Sequence, residues 1–244
     1  MNKFAQLKEY TDSIGSIYGT ENISLYLYSL AKILEPRLVV DLGTGLGSNF
    51  LWLGTALKEN ATGNLITVDH GEDWSKFIKI RDQLGPYYRE DYTDFIHNLI
   101  DEFDFGEEVS YVKSTIQDFN VDSEIDFLVS DFAHGPYDIV SLLAKYLPKM
   151  AFYSHIFIDS ASTLYSSYHT LEKLIEQFNK GIIPLTLGEM LDQSGYDEIS
   201  RLIVLSEFKL THLIENKNRN QNSMAQIQIS PRDIMPQPRV NIRF

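Results

Sequence analysis

The run Val39-Val40-Asp41-Leu42-Gly43-Thr44-Gly45-Leu46-Gly47 constrains this chain more than any other feature. Residues 38–42 form a continuous β-type run that opens into three alternating glycines, and Ser48 then starts a helical pattern that reaches about Glu59 before Asn60 and Gly63 stop it. Glycines let backbone approach a ligand closely, and a helix N-terminus offers it unpaired N–H groups. Strand, glycine turn and helix in this order build a site for a nucleotide-like ligand. A dinucleotide fingerprint wants glycine at the first, third and sixth positions. Here the sixth position is Ser48, and the third glycine comes one residue early. Asp41, two residues before the first glycine, sits awkwardly beside a pyrophosphate and suits a ligand that carries an ammonium group.

The flanking pattern repeats the alternation. Upstream, Ile23, Leu27, Leu30 and Leu34 recur at helical spacing until Pro36 ends the helix. Downstream, 65–68 is a second strand that ends at Asp69, and 109–112, 127–130 and 156–158 are further short β-rich runs, with a helix over 137–147. The stretches 182–187 and 201–205 read as two final strands, an antiparallel ending across 188–200. Alternating β and α elements give a mostly parallel sheet with helices on both faces. The segment 71–108 is too long for a simple crossover and holds Trp74, Phe77, Tyr87, Tyr88, Tyr92, Phe95 and His97. Two readings stand for it: a helical insertion whose aromatics are core, or a lid over a substrate.

With 244 residues and 43% of them hydrophobic, the chain has material for one larger α/β domain. The composition changes after Glu215, which divides the chain into a domain over 1–215, including the insertion, and a polar tail over 216–244. The tail is either a disordered extension or, through alternation at 226–229 and 240–244, a source of strands that pair with a second copy in a homodimer. Its bases Lys217, Arg219, Arg232, Arg239 and Arg243 against the single acid Asp233 give it +4, which leaves −17 on the rest of a chain whose net charge is −13. A chain this acidic does not favour a nucleic-acid backbone as its partner. The first ten residues carry Lys3, Lys8 and Glu9 with no apolar core of signal-peptide length, and no apolar run is long enough to span a membrane. The expectation is a soluble, cytoplasmic protein with neither nucleic-acid nor membrane partners. Cysteine is absent, so any metal must be held by oxygen or imidazole.

The glycine motif, with its preceding acid, resembles that of the class I S-adenosylmethionine-dependent methyltransferases, and the order of elements follows that family from about Leu25 to Leu205. The resemblance implies a Rossmann-like, seven-stranded, mostly parallel sheet with helices on both faces and an antiparallel final strand. It also implies S-adenosylmethionine as the cofactor, with Asp41 helping to bind the methionine amino group, Gly43, Gly45, Gly47 and Asn49 passing around the ligand, and Asp69 holding the ribose hydroxyls. A carboxylate suits a diol, since one group accepts from two donors.

A narrower resemblance is to the small-molecule O-methyltransferases, the catechol-type enzymes and their bacterial relatives. Ile116-Gln117-Asp118 is similar to their adenine-binding stretch, which puts Ile116 and Gln117 against the base. Asp131-Phe132-Ala133-His134-Gly135-Pro136-Tyr137 is similar to the Asp-x-x-His-x-x-Tyr stretch of the bacterial relatives, and Asp159 ends the following strand. By this resemblance Asp131, Asp159 and Ser160 are the metal ligands, most naturally for Mg²⁺, and His134 with Asp131 does the catalytic work on a small-molecule hydroxyl. Ser160 departs from the Asn or Asp that the metal-dependent relatives carry there. The alternatives stay open: Asp131 positioning substrates by hydrogen bonds with no metal, Asp159 capping a helix, and His134 as a structural histidine. Tyr137, Tyr165 and Tyr168 either shape the acceptor pocket or are core, and Glu189 stands near where the catechol enzymes place an acid facing the acceptor.

The leading expectation is methyl transfer to an oxygen. A metal-independent N-methyltransferase acting on a small molecule or peptide is the second, because a neutral amine needs little base catalysis. A nicotinamide-dependent oxidoreductase is the rival from another class, disfavoured by the glycine spacing and the absence of a Tyr-x-x-x-Lys pair.

Overall fold

In the computed structural model, which describes residues 3–18, 21–132, 134–215 and 222–232, the strand of the glycine motif lies mid-sheet. This strand, β1 (Leu38–Leu42), pairs in parallel with β2 (Asn64–Asp69) on one side and β4 (Ile125–Ser130) on the other. Beyond them β3 (Val109–Lys113) pairs with β2, and β5 (Met150–Asp159) with β4, also in parallel. The chain ends its sheet with β6 (Ser206–Ile214) and β7 (Ser223–Pro231). The order is β3-β2-β1-β4-β5-β7-β6, and β7 runs antiparallel to both neighbours. This is the Rossmann-like sheet expected from the sequence.

Both faces are covered, and the two-residue period of the strands distributes their side chains between two cores. Val39, Phe127, Val129 and Phe157 pack with α1 (Lys3–Tyr18), α2 (Glu21–Leu34), α3 (Ser48–Asn60) and the 71–108 segment. Val40, Leu42, Leu128, Ile156 and Ile158 face the other way, onto α6 (Pro136–Tyr146), α7 (Tyr165–Asn179) and α9 (Gln193–Leu205). In α2 the buried stripe is Ile23, Leu27 and Ala31, spaced four apart, and the helix stops before Glu35 turns left-handed (φ 49°) and Pro36 follows. Each large apolar side chain buried this fully contributes about 1.5–3 kcal/mol.

The segment 71–108 is helical. A 3-10 helix over Glu72–Ile80 leads into α4 (Arg81–Leu84), a second 3-10 turn over Gly85–Tyr87, and α5 (Tyr92–Glu102). Asp91 caps α5 by accepting from the amides of Thr93 and Asp94. Trp74 stacks on Phe95 with centroids 4.5 Å apart, and both rings are buried. The Phe77 side chain lies outside the described residues.

Two readings of the sequence are corrected. The stretches 182–187 and 201–205 are not strands: α8 (Leu185–Gly188) occupies the end of the first, and the second is the last part of α9. Asp192 caps α9 by accepting from Gly195 N, and Ile199, Leu202 and Ile203 are buried at helical spacing, so periodicity overrides the β-branched look of the run. The division at Glu215 also fails. β7 is an inserted strand of the same sheet, in register from Ser154↔Ile229 to Asp159↔Met224 and from Ser206↔Pro231 to Ile214↔Ser223, and it pairs with its own chain rather than a second copy. Its polar look misleads because Gln226 is satisfied internally: Tyr26 Oη donates to Gln226 Oε1 at 2.7 Å, and Gln226 Nε2 meets His155 Nδ1 at 3.0 Å. Arg232 also works inside the chain, donating to the carbonyls of Ser206, Asn179 and Ile203. Lys217, Arg219, Arg239, Arg243 and the alternation at 240–244 lie outside the described residues. Among the described residues, no helix is long and apolar enough to cross a membrane.

Candidate active site

The carboxyl ends of β1, β2, β4 and β5 converge, and the expected site residues gather there. Open α/β sheets bind ligands at this edge, where the strand order reverses about β1 and β4.

Asp41 is fully buried in β1. Thr67 on the neighbouring strand donates its hydroxyl to Asp41 Oδ2 at 2.8 Å, and Thr44 in the glycine turn lies 2.6 Å from the same threonine oxygen. The other carboxylate oxygen, Oδ1, is enclosed and has no partner among the described residues. Burial pushes the Asp41 carboxyl up to about 7, with the Thr67 hydrogen bond opposing the shift and nearby Asp69 adding to it. A buried acceptor without a donor is costly, so this oxygen is poised for a ligand cation or donor.

The turn itself is built by positive backbone angles at Gly43 (φ 90°), Gly45 (φ 53°) and Gly47 (φ 92°). At Gly43 close approach matters as well, because a Cβ there would lie 3.2 Å from the Asp131 carbonyl oxygen. Gly47 caps α3 from the left-handed region. Asn49, the second residue of α3, accepts at Oδ1 from Ser24 Oγ at 3.0 Å, which ties α3 to α2. Asp69 closes the turn from the end of β2: its Oδ2 accepts from Gly45 N at 3.1 Å and its Oδ1 from Gly71 N at 2.8 Å. Each oxygen keeps a second lone pair.

After β3, the backbone of Ile116 and Gln117 is pinned by α6. Lys145 Nζ donates to both carbonyls, and Tyr146 Oη also donates to Ile116 O at 3.1 Å. Gln117 is exposed.

At the ends of β4 and β5, donor atoms of Asp131, His134 and Asp159, one from each residue, lie within 4.8 Å of one another. Burial and the Asp159 carboxylate beside it hold Asp131 well above the usual carboxylate range. Asp159 is raised too, chiefly by burial, with the Ser160 hydroxyl and His134 opposing. His134 Nδ1 is buried and has no partner among the described residues. Two adjacent carboxylates that resist joint ionisation, with the His134 ring beside them, fit a divalent cation, which would relieve the two acids. Ser160 Oγ donates to Asp159 Oδ2 at 2.6 Å, so it bears on this centre through Asp159.

The remaining candidates fall outside this cluster. Tyr137 and Tyr165 are exposed and belong to no core, whereas Tyr168 stacks on His212 at 4.1 Å. Glu189 is exposed at the end of α8. A cavity of about 700 Å³ between α6 and the start of α9 is lined by Tyr137, Ser141, Lys145, Met190, Asp192 and Glu198, and includes none of the clustered acids. Sequence reading missed Thr67, a hydroxyl in the strand beside Asp41, and Thr44, a hydroxyl within the glycine turn. It also missed that Tyr10 and Tyr92 reach the glycine turn, donating to the carbonyls of Leu46 and Gly45, each at 2.8 Å.

A family model described as a methyltransferase domain matches residues 40–161, half of the chain. The chain belongs to this methyltransferase family. The matched span of the methyltransferase runs from the glycine-motif strand to the end of β5 and contains Asp41, Asp69, Asp131, His134 and Asp159. A search of curated proteins finds no match. Among solved structures, the fold is similar to the O-methyltransferase TomG from Streptomyces achromogenes in complex with SAM, at 13% identity and a TM-score of 0.54, covering 94% of this chain and 90% of that one. The methyltransferase PaMTH1 from Podospora anserina, bound to SAH, aligns at 10% identity with a TM-score of 0.56, over 96% and 89% of the two chains. An O-methyltransferase from Bacillus cereus in complex with SAH aligns at 12% identity with a TM-score of 0.55, over 93% and 91%. At these identities the likeness is one of fold.

Proposed function

We propose that this methyltransferase transfers the methyl group of S-adenosylmethionine to a hydroxyl oxygen of a small molecule, assisted by a divalent cation such as Mg²⁺. The observation that carries the reading is the placement, at one sheet edge, of the unpartnered Asp41 oxygen and the Asp131, His134 and Asp159 cluster. S-adenosylmethionine supplies an electrophilic methyl on a sulfonium. The chain's own groups account for the rest. Asp41 Oδ1 receives the amino group, the glycine turn lets the ligand lie against backbone, and Asp69 accepts from the ribose hydroxyls with its spare lone pairs. Ile116 and Gln117 flank the base. Asp131 and Asp159 would hold a divalent cation, which would lower the pKa of an acceptor hydroxyl; His134 is placed to take the hydroxyl proton as the oxygen bonds to the methyl carbon and the carbon–sulfur bond breaks, releasing S-adenosylhomocysteine. TomG and the Bacillus cereus protein are both O-methyltransferases, which supports an oxygen acceptor. The net charge of −13 supports a small-molecule acceptor over a nucleic-acid partner.

The test is methyl transfer from donor labelled in its methyl group to a panel of vicinal diols, phenols and amines, with Mg²⁺ or with EDTA. Cation-dependent labelling of hydroxyl compounds is expected. Labelling of amines alone, insensitive to EDTA, would replace the reading with N-methylation.

A further inference from the structure

The glycine turn is held from the side of the insertion by a closed circuit of contacts. Gly45 N donates to Asp69 Oδ2 at 3.1 Å, while the carbonyl of the same glycine accepts from Tyr92 Oη at 2.8 Å. Tyr92 is the first residue of α5 and is buried, its ring lying over Gly71. Gly71 (φ 76°) has no room for a side chain, since a Cβ would come within 2.5 Å of the Tyr92 ring. Its own amide donates to Asp69 Oδ1 at 2.8 Å, which returns the circuit to the carboxylate where it began. The Tyr92 ring is also packed against Trp74, with centroids 5.4 Å apart, in the 3-10 helix of the insertion. One hydroxyl thus connects the 71–108 segment to the middle glycine of the ligand turn. From the other side Tyr10 Oη, on α1, donates to Leu46 O at 2.8 Å.

We infer that Tyr92 is a positioning residue that couples the insertion to the donor site. It fixes the turn on both sides of the Gly45 Cα, whose N–H reaches Asp69 and whose carbonyl is taken up by the Tyr92 hydroxyl, and it links the glycine turn to Trp74. The inference rests on the donor reading given above.

Tyr92→Phe keeps the ring and removes the hydroxyl. Binding of S-adenosylhomocysteine, measured by calorimetry, should weaken about tenfold, the worth of one buried hydrogen bond. The donor-induced change in Trp74 fluorescence, followed in a Trp52→Phe background, should be lost with it. Tyr28→Phe, which removes a hydroxyl bonded to Glu59 in the same core, should leave donor affinity unchanged. Gly71→Ala, which displaces the Tyr92 ring, should reproduce the loss and serves if Tyr92→Phe is poorly folded. Donor affinity or a fluorescence response in folded Tyr92→Phe equal to that of the parent overturns the inference. Failure of the parent protein itself to bind S-adenosylhomocysteine overturns the donor reading instead.

Discussion

Thr67 donates a 2.8 Å hydrogen bond to Asp41 Oδ2 and so fixes a buried carboxylate whose other oxygen has no partner among the described residues. Burial raises the Asp41 carboxyl to about 7, which makes donor binding sensitive to pH in the neutral range. The ionised form pairs with an ammonium group, so donor affinity should rise as pH increases through about 7. Stability without ligand should move the other way. Asp41 in the folded chain holds its proton up to about 7 against an ordinary value of 3.8, so the stability this gives is complete below the lower value and is lost as pH rises through the higher. Asp131 and Asp159 are raised in the same direction. The ligand-free melting temperature should therefore be higher near pH 6 than near pH 8, and Asp41→Asn should flatten that slope and the pH dependence of donor affinity. A slope of the opposite sign would contradict the environment described for Asp41.

Asp69 receives the amides of both Gly45 and Gly71, so Asp69→Ala removes ribose acceptors and loosens the turn together. Donor affinity should fall by more than about tenfold, since at least one hydrogen bond to a charged group is lost. Titration calorimetry that finds affinity unchanged would take Asp69 out of the site.

If the Asp131, His134 and Asp159 cluster works as argued, EDTA should abolish turnover and Mg²⁺ should restore it. His134→Ala should depress the rate near neutral pH more than at high pH, where the acceptor hydroxyl ionises unaided. An equal loss at every pH would assign His134 to packing.

Ending the chain after Glu215 removes β7, which separates β5 from β6. Its buried residues include Met224, Ala225, Ile227 and Ile229. The truncated protein should be insoluble or lack a cooperative melting transition. A soluble protein with parental melting behaviour would contradict the position of β7.

The parts of this molecule legible in its sequence are those where local chemistry and fold agree. The β1 strand, its glycine turn and Asp69 could be read because strand burial, positive backbone angles and a terminal acid all follow from residue type at fixed spacing. The meeting of Asp131 with Asp159 followed once β4 and β5 were placed side by side. The end of the chain was hidden for two physical reasons. Helix α9 looks like a strand over its last residues because Ile203 and Val204 are β-branched, and only the Asp192 cap and the burial of Ile199 and Leu202 reveal the helical period. Strand β7 looks like a polar tail because Gln226 and Gln228 interrupt it, and the partners of Gln226, Tyr26 and His155, lie far away in sequence. Tyr10 and Tyr92 were hidden likewise, since nothing local marks a phenol whose hydroxyl acts on a distant turn.

The most direct measurement is titration calorimetry of the purified chain with S-adenosylhomocysteine and, separately, with NADH, repeated on Asp41→Asn. One-to-one binding of S-adenosylhomocysteine, weakened in Asp41→Asn, with no heat from NADH, is the expected result. Binding of NADH with none of S-adenosylhomocysteine would contradict the methyl-donor site and return the glycine turn to a nicotinamide-dependent chemistry.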